Sequence, residues 1–218
     1  PGAPAAGEAA NEPMAPQVQA VAAGAEVGEL FTYHVKEPVT MPRRRSAMLP
    51  IINQPVAARK VSIYNRNVLA KSPLNGVWLT NNTAMTLLSG PVTVFDGGTY
   101  AGDAQIGNLS PNEKRLLSYA VDLKVTVDPS QKVTRKLVSG RIVRGVLTLT
   151  YRTEFLQTYL IHNKAEQERT VVIEHPFSPD RKLVQPAEPA EKTPTLYRFE
   201  VPVAAGQITA LLGPNGAG

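Results

Sequence analysis

The sequence predicts an all-β fold, an antiparallel β-sandwich built as two packed sandwich modules, and three features indicate this class. Short runs of β-branched and aromatic residues recur after residue 28, separated by Pro, Gly and Asn, as is typical of strands and turns. The 218 residues include 19 Pro and 16 Gly, which disfavours long helices. No helical stretch of roughly 10–15 residues separates the strands, so a parallel α/β sheet is not expected.

The composition divides the chain into four segments. Residues 1–27 are rich in Ala and Pro and lack aromatic residues, so we expect a disordered or extended linker that joins the domain to something upstream. Residues 28–130 are expected to form the first β module and residues 131–212 the second sandwich module, with the division near Asp128–Gln131. Residues 213–218 form a Gly-rich tail.

In the first module, Leu30–Lys36 alternates, and its aromatic face is expected to point inward. The tripeptide Asp96-Gly97-Gly98 predicts a tight hairpin turn, because glycine supplies the positive φ angles. Trp78 is the only Trp of the chain and is expected to anchor a core. Further candidate strands are Ser46–Ile52, Lys60–Tyr64, Gly76–Thr80, Met85–Leu88, Val92–Phe95, Tyr100–Ile106 and Arg115–Ala120.

The second module contains longer alternating runs. Its candidate strands are Lys132–Val138, Arg141–Thr153, Phe155–Asn163, Thr170–Glu174, Thr195–Val203 and Gln207–Leu212. Alternation places Leu147, Leu149 and Tyr151 on one face, which we expect to pack in a core. The proline-rich segment 186–194 predicts an exposed loop between antiparallel strands.

Several strings resemble a bacterial family. They are Gly28–Tyr33, Pro38–Ile51, Gly90–Ala104, Arg115–Asp122 and Glu174–Pro176. Together they resemble the domain of unknown function at the C-terminal end of mucoidy-inhibitor-A-like proteins, over about residues 28–205. This resemblance implies an all-β domain of an exported bacterial protein, located in the periplasm or cell envelope. It implies no activity that these residues carry.

The last 13 residues, 206–218, resemble the phosphate-binding loop of ATP-binding-cassette ATPases. A working loop needs a Lys on the phosphates, a Ser or Thr on Mg²⁺ and a following helix. In this pattern the Lys, the Ser or Thr and the helix would all follow Gly218. The segment therefore predicts no nucleotide site of its own.

The sequence contains no recognisable catalytic constellation, so we expect no catalytic residue, cofactor or metal site. Without Cys, thiolate nucleophiles and Cys-ligated metals are excluded. His34 and His162 fall in different candidate strands and His175 directly follows a third, Thr170–Glu174, and their spacing does not indicate a zinc site. Glu174 and His175 are adjacent in a strand, which places their side chains on opposite faces. No nucleophile-elbow pattern is present.

Basic clusters are the strongest functional signal. The net charge is +5; residues 1–27 contribute −3 through three Glu, which leaves +8 on the rest. The candidate anion or partner contacts are Arg43, Arg44, Arg45, Lys132, Arg135, Lys136, Arg141 and Arg144. The alternative interpretation is a set of charged strand edges that discourage aggregation.

These patterns predict a non-catalytic structural or interaction module that binds a protein partner or copies of itself. The alternative is a module that binds anionic polysaccharide or the cell envelope through its basic strands. Only 6% of residues are aromatic, so we expect no specific nucleic-acid binding. The longest uncharged run, residues 72–95, is broken by Pro and Gly, and no transmembrane segment is expected.

Overall fold

The computed structural model describes residues 22–27, 30–35, 38–40, 43, 44, 46, 52 and 54–217. Among them, the first seven strands are β1 (Ala22–Val27), β2 (Leu30–Val35), β3 (Ala57–Asn65), β4 (Leu74–Thr80), β5 (Gly90–Asp96), β6 (Thr99–Ile106) and β7 (Lys114–Val121). The next are β8 (Val125–Val143), β9 (Val146–Asn163), β10 (Arg169–Pro176), β11 (Lys182–Leu183), β12 (Glu191–Lys192), β13 (Leu196–Val203) and β14 (Ile208–Ala217). The described residues form no α-helix, and the predicted all-β class is confirmed.

A six-stranded sheet joins both predicted modules. Its order is β12-β13-β10-β3-β4-β7, and its neighbouring strands are antiparallel except for β10 and β3, which are parallel. Strands β3, β4 and β7 come from the first predicted module, and β10, β12 and β13 from the second. The two segments therefore share one sheet.

One face of this sheet has two covers. The antiparallel four-stranded sheet β11-β14-β9-β8 packs over β3, β10 and β13. The core between them consists of Tyr64, Val125, Val127, Tyr159, Ile161, Val171, Ile173, Tyr197, Phe199, Val201 and Val203. Burial of each of these aliphatic side chains stabilises the folded state by about 1.5–3 kcal/mol, so this cluster is the main source of stability.

The β5–β6 hairpin is the second cover and packs over β4 and β7. Its core contains Ala104, Ile106, Leu109 and Leu117. The hairpin approaches β7 closely at Gly102, where an added Cβ would lie 2.2 Å from the Tyr119 carbonyl oxygen. The predicted turn is confirmed, since Gly97 and Gly98 have φ angles of 56° and 78°.

The opposite face of the six-stranded sheet buries Trp78 with Val61, Ile63 and Val172. The indole Nε1 of Trp78 donates a hydrogen bond to Glu200 Oε1 at 3.0 Å. This satisfies the indole's only polar group. The predicted role of Trp78 as a core anchor is confirmed.

Two predicted strands are wrong. Met85–Leu88 forms only an isolated bridge between Leu87 and Leu109, because Asn81 Nδ2 binds the Met85 carbonyl oxygen and holds this segment as a loop. Arg141–Thr153 is not one strand but contains a turn at Arg144 and Gly145, with φ angles of 51° and 79°. Two consecutive positive φ angles match the type I′ turn that suits a two-residue hairpin.

Three segment limits also differ from expectation. The division near Asp128–Gln131 falls inside β8, which is continuous from Val125 to Val143. Residues 213–217 continue β14 and pair with β9. Ala22–Val27, at the end of the predicted linker, pairs antiparallel with β2. Residues 1–21, Arg45 and most of Ser46–Ile52 lie outside the described residues.

Candidate functional site

The β8–β9 hairpin has a buried base and an exposed end. At the base, Val125, Val127 and Ile161 are completely buried in the sandwich core. Residues 132–155, which we call the arm, are exposed or only partly buried. Among the described residues, β14 pairs with β9 from His162 to Thr153, and the rest of β9, towards the turn, pairs only with β8. At about 3.4 Å per residue the arm extends about 40 Å.

One face of the arm is apolar, and it continues the core face of the base. Pairing sets Val133 opposite Phe155, Leu137 opposite Tyr151, and Ile142 opposite Leu147. The apolar side chains on this side of the arm form what we call the apolar face. They are Val133, Leu137, Ile142, Leu147, Leu149, Tyr151 and Phe155. The prediction that Leu147, Leu149 and Tyr151 share a face is confirmed. The prediction that they pack in a core is wrong, because they are 58%, 41% and 39% exposed.

A bulge keeps this face continuous. The register shifts between Leu137 and Ser139, so Val138 is the extra residue that has no partner on β9. Before the bulge, odd-numbered β8 residues lie on the apolar face; after it, even-numbered residues such as Ile142 do. Without the extra residue, Ile142 would lie on the opposite face.

The opposite face is basic. The alternation of side-chain direction along β8 and β9 places four basic residues on this side of the arm. We call them the basic face: Lys132, Lys136, Arg141 and Arg152. Lys136 Nζ pairs with Glu154 Oε2 at 2.8 Å. Arg152 was missed in the sequence analysis, although it lies in the acid-free run, residues 129–153, that also contains Lys132.

The other predicted contacts are distributed differently. The guanidinium of Arg135 lies on the apolar face, 3.9 Å from the centre of the Tyr151 ring, and Arg144 lies in the turn at the tip. Arg43 and Arg44 form an exposed turn; within the described residues, neither makes a hydrogen bond or ion pair with the arm. Arg45 lies outside the described residues. The structure thus brings five of the eight predicted residues together on one arm.

The arm has a strong positive charge. Its charged residues are Lys132, Arg135, Lys136, Arg141, Arg144, Arg152 and Glu154. Six bases and one acid give +5, which equals the net charge of the whole chain. An exposed apolar surface and a concentrated positive charge therefore occupy the same element.

A second candidate is a cavity of about 160 Å³ lined by Ile63, Glu174 and Arg198. Glu174 accepts hydrogen bonds from Asn65 Nδ2 and Arg198 Nε, each at 2.9 Å. Burial lowers the pKa of Arg198, but hydrogen bonds and charges from Glu191 and Glu174 outweigh it, so the net pKa is raised. The two charged groups of this cavity, Glu174 and Arg198, are therefore already paired with each other.

A third candidate is the Tyr159–His175 pair. Tyr159 Oη lies 2.7 Å from His175 Nδ1, on the side of β10 opposite Glu174, as alternation predicts. Burial raises the pKa of Tyr159 far above its ordinary value. Burial, and then the charge of Arg181, lower the pKa of His175. Both groups are therefore neutral at neutral pH, and the adjoining cavity of about 20 Å³ has room for no more than a single water.

A polar hollow of about 530 Å³ lies between the two covers of the large sheet. An ion pair between Lys60 and Asp96 lies on its wall. Asp122 accepts a hydrogen bond from Ser62 Oγ at 2.6 Å, and Arg169 Nε has no hydrogen-bond partner. Three bases (Lys60, Lys124 and Arg169) and three acids (Asp96, Asp122 and Glu166) line the hollow, so it does not favour one sign of charge.

In the part of the chain that the structure describes, the His, Asp and Glu side chains form no group of three or more that could hold a metal ion. Within the same residues, no helix is long and apolar enough to cross a membrane. No protein-family model, curated protein or solved structure matches the chain.

Proposed function

We propose that the protein is a non-catalytic contact module of an exported bacterial protein, and that it works in the periplasm or cell envelope. The arm makes the contact, with a protein partner or with a second copy of the chain. The observation that carries this proposal is the exposed apolar face. A two-stranded ribbon alone is marginally stable in water, and a contiguous apolar surface of this kind is typical of an interaction site.

A binding function is favoured over a catalytic one, because the ionisable groups in the two small cavities already interact with neighbouring side chains. Glu174 is bound by Asn65 and Arg198, and His175 is bound by Tyr159. A general base or nucleophile needs a free position from which to reach a substrate. The arm, in contrast, presents its side chains to solvent.

Site-specific photo-crosslinking tests this proposal. A photoreactive residue at Leu147, on the apolar face, is expected to give a discrete adduct with a partner or a second copy. The matched control is Thr148, the next residue of the same strand, whose side chain points to the opposite face. Equal yields from both positions would contradict a contact through the apolar face.

The basic face favours a second candidate function, binding to an anionic polysaccharide of the cell envelope. Clustered Lys and Arg attract an anionic polymer, and the attraction weakens with salt. Arg141→Ala together with Arg152→Ala is then expected to elute from heparin at lower salt than the unchanged chain. The control is Arg43→Ala with Arg44→Ala and Arg45→Ala, which leaves the arm intact. If only this control weakened retention, the arm would not be the binding surface.

A further inference from the structure

We propose that the arm docks tip-first on an anionic lipid bilayer, with its apolar tip among the lipid headgroups and its basic side chains on the lipid phosphates. This inference rests on the proposed function, because it takes the arm to be the contact surface. It goes beyond the proposed function by adding a lipid surface, which is neither a protein partner nor a second copy, to the contacts of the arm. Two properties of the arm, the shape of its apolar surface and the position of its charges, lead to this partner.

The tip is apolar on both of its faces. Ile142 and Leu147 form one pair, on the apolar face, and Val143 and Val146 form the next pair, on the other face. Ile142 is 72% exposed and Val146 is 65% exposed. A protein sheet packed on the arm covers one face and leaves the other in water. A bilayer surrounds an inserted tip on all sides.

The dimensions of the tip match the depth of an interfacial contact. Two successive residue pairs span about 7 Å along the strands. Elements that lie at a membrane surface bury their apolar groups about 5–10 Å into the boundary between headgroups and acyl chains. The apolar tip is therefore long enough to enter this boundary and too short to cross the bilayer.

Apart from Arg144 in the turn, the charged residues of the arm lie on the base side of the apolar tip. Arg141 directly precedes it, and Lys136, Arg152 and Arg135 follow towards the base. Anionic lipids attract basic side chains that lie within a Debye length, about 8 Å at physiological salt. Arg144, in the turn itself, has a long side chain that can lie along the tip and keep its guanidinium at the phosphates.

The same charges disfavour a second copy as the occupant. Each arm has a net charge of +5 from its sequence, so two arms packed together bring like charges near each other. Arg135, which lies on the apolar face, would lose water in such an interface. An anionic bilayer supplies the opposite charge and the apolar interior together.

Co-sedimentation of the full chain with vesicles tests the inference. We expect binding to vesicles of phosphatidylglycerol mixed with phosphatidylcholine, weaker binding as salt increases, and little binding to vesicles of phosphatidylcholine alone. Ile142→Ser with Leu147→Ser should reduce binding about tenfold or more, because both side chains lose their apolar contact. The matched control, Thr148→Ser with Thr150→Ser, keeps the tip and should bind as the unchanged chain does.

A fluorescence measurement locates the contact independently. Leu147→Trp should show a blue shift of its emission with phosphatidylglycerol vesicles, and Thr134→Trp, towards the base, should not. The buried Trp78 supplies the constant background. Circular dichroism of each variant confirms that the sandwich is folded.

The outcomes separate this inference from the proposed function. Equal binding to both kinds of vesicle, or binding that Ile142→Ser with Leu147→Ser leaves unchanged, overturns the bilayer as partner. If the chain does not bind vesicles but self-associates in sedimentation velocity, or crosslinks to a protein through Leu147, the inference is overturned and the proposed function stands. A chain that shows none of these contacts overturns both.

Discussion

The base and the tip of the β8–β9 hairpin have similar residues in different environments. At the base, Val127 is paired with Ile161, and both are 0% exposed. At the tip, Ile142 is paired with Leu147, and they are 72% and 58% exposed. Between these pairs the two strands stay paired with each other, with one register shift at the bulge of Val138. Apolar alternation therefore defines a face of a strand, while the rest of the fold decides whether that face is covered.

The largest expected effect comes from truncating each region in turn. Ile161→Ala should lower the free energy of unfolding by about 2–5 kcal/mol, since it leaves a cavity in the main core. Ile142→Ala should change it by less than about 0.5 kcal/mol, as for other surface positions. Urea unfolding measures both values. Comparable losses would mean that the tip is covered in the folded protein.

Removing an acidic side chain should also cost more stability in the core than on the arm. Asp122 is buried and accepts hydrogen bonds from Ser62 Oγ and the Lys124 amide. Asp122→Ala should therefore cost about 1–3 kcal/mol. Glu154→Ala on the arm removes only an exposed pair with Lys136 and should cost about 0–1 kcal/mol. Thermal unfolding of the two variants at one pH makes the comparison, and a costlier Glu154→Ala would reverse it.

The turn of the arm should respond locally. Gly145 has a φ of 79°, so Gly145→Ala is expected to strain the turn by about 1 kcal/mol. Hydrogen exchange should show faster exchange in the arm amides and unchanged exchange in β10. Arg144→Asn is the control, because Asn suits the positive φ at this position. Uniformly faster exchange across both regions would show that the arm and the sandwich unfold as one unit.

Low pH should destabilise the sandwich through His175. Burial, and then Arg181, lower its folded pKa below the ordinary value of 6.5. The unfolded state then binds the proton more readily, so stability is lost as pH falls below about 6.5. Urea unfolding across this range should show the loss, and His175→Gln should reduce it. An identical pH dependence in His175→Gln would assign the loss to other groups.

The fold class was predictable because its signals are local. Turn residues such as Gly97 and Gly98 and the alternation of the strands are visible in short windows. The turn at Arg144 was missed because Arg is uncommon at positive φ, so the run from Arg141 to Thr153 resembled one strand. The bulge at Val138 has no distinctive residue type and was also missed.

The candidate site was predictable only in part. The acid-free run indicated Lys132, Lys136 and Arg141, because charge density is a property of sequence. Their separation from Arg135 onto another face depends on register, and the exposure of Leu147 depends on what the other strands cover. Neither the register nor the cover can be determined from a short segment of the sequence.

The parallel pairing of β3 with β10 has a consequence for how the chain is made. Asn65 and Glu174, hydrogen-bonded across this pair, are 109 residues apart. At roughly 5–20 residues per second of synthesis, the ribosome needs roughly 5–20 seconds to deliver β10 after β3. During that time the edge of β3 that β10 will occupy is open to other chains. Chaperones that bind emerging strands are therefore expected to matter more for this protein than for one whose neighbouring strands follow each other directly.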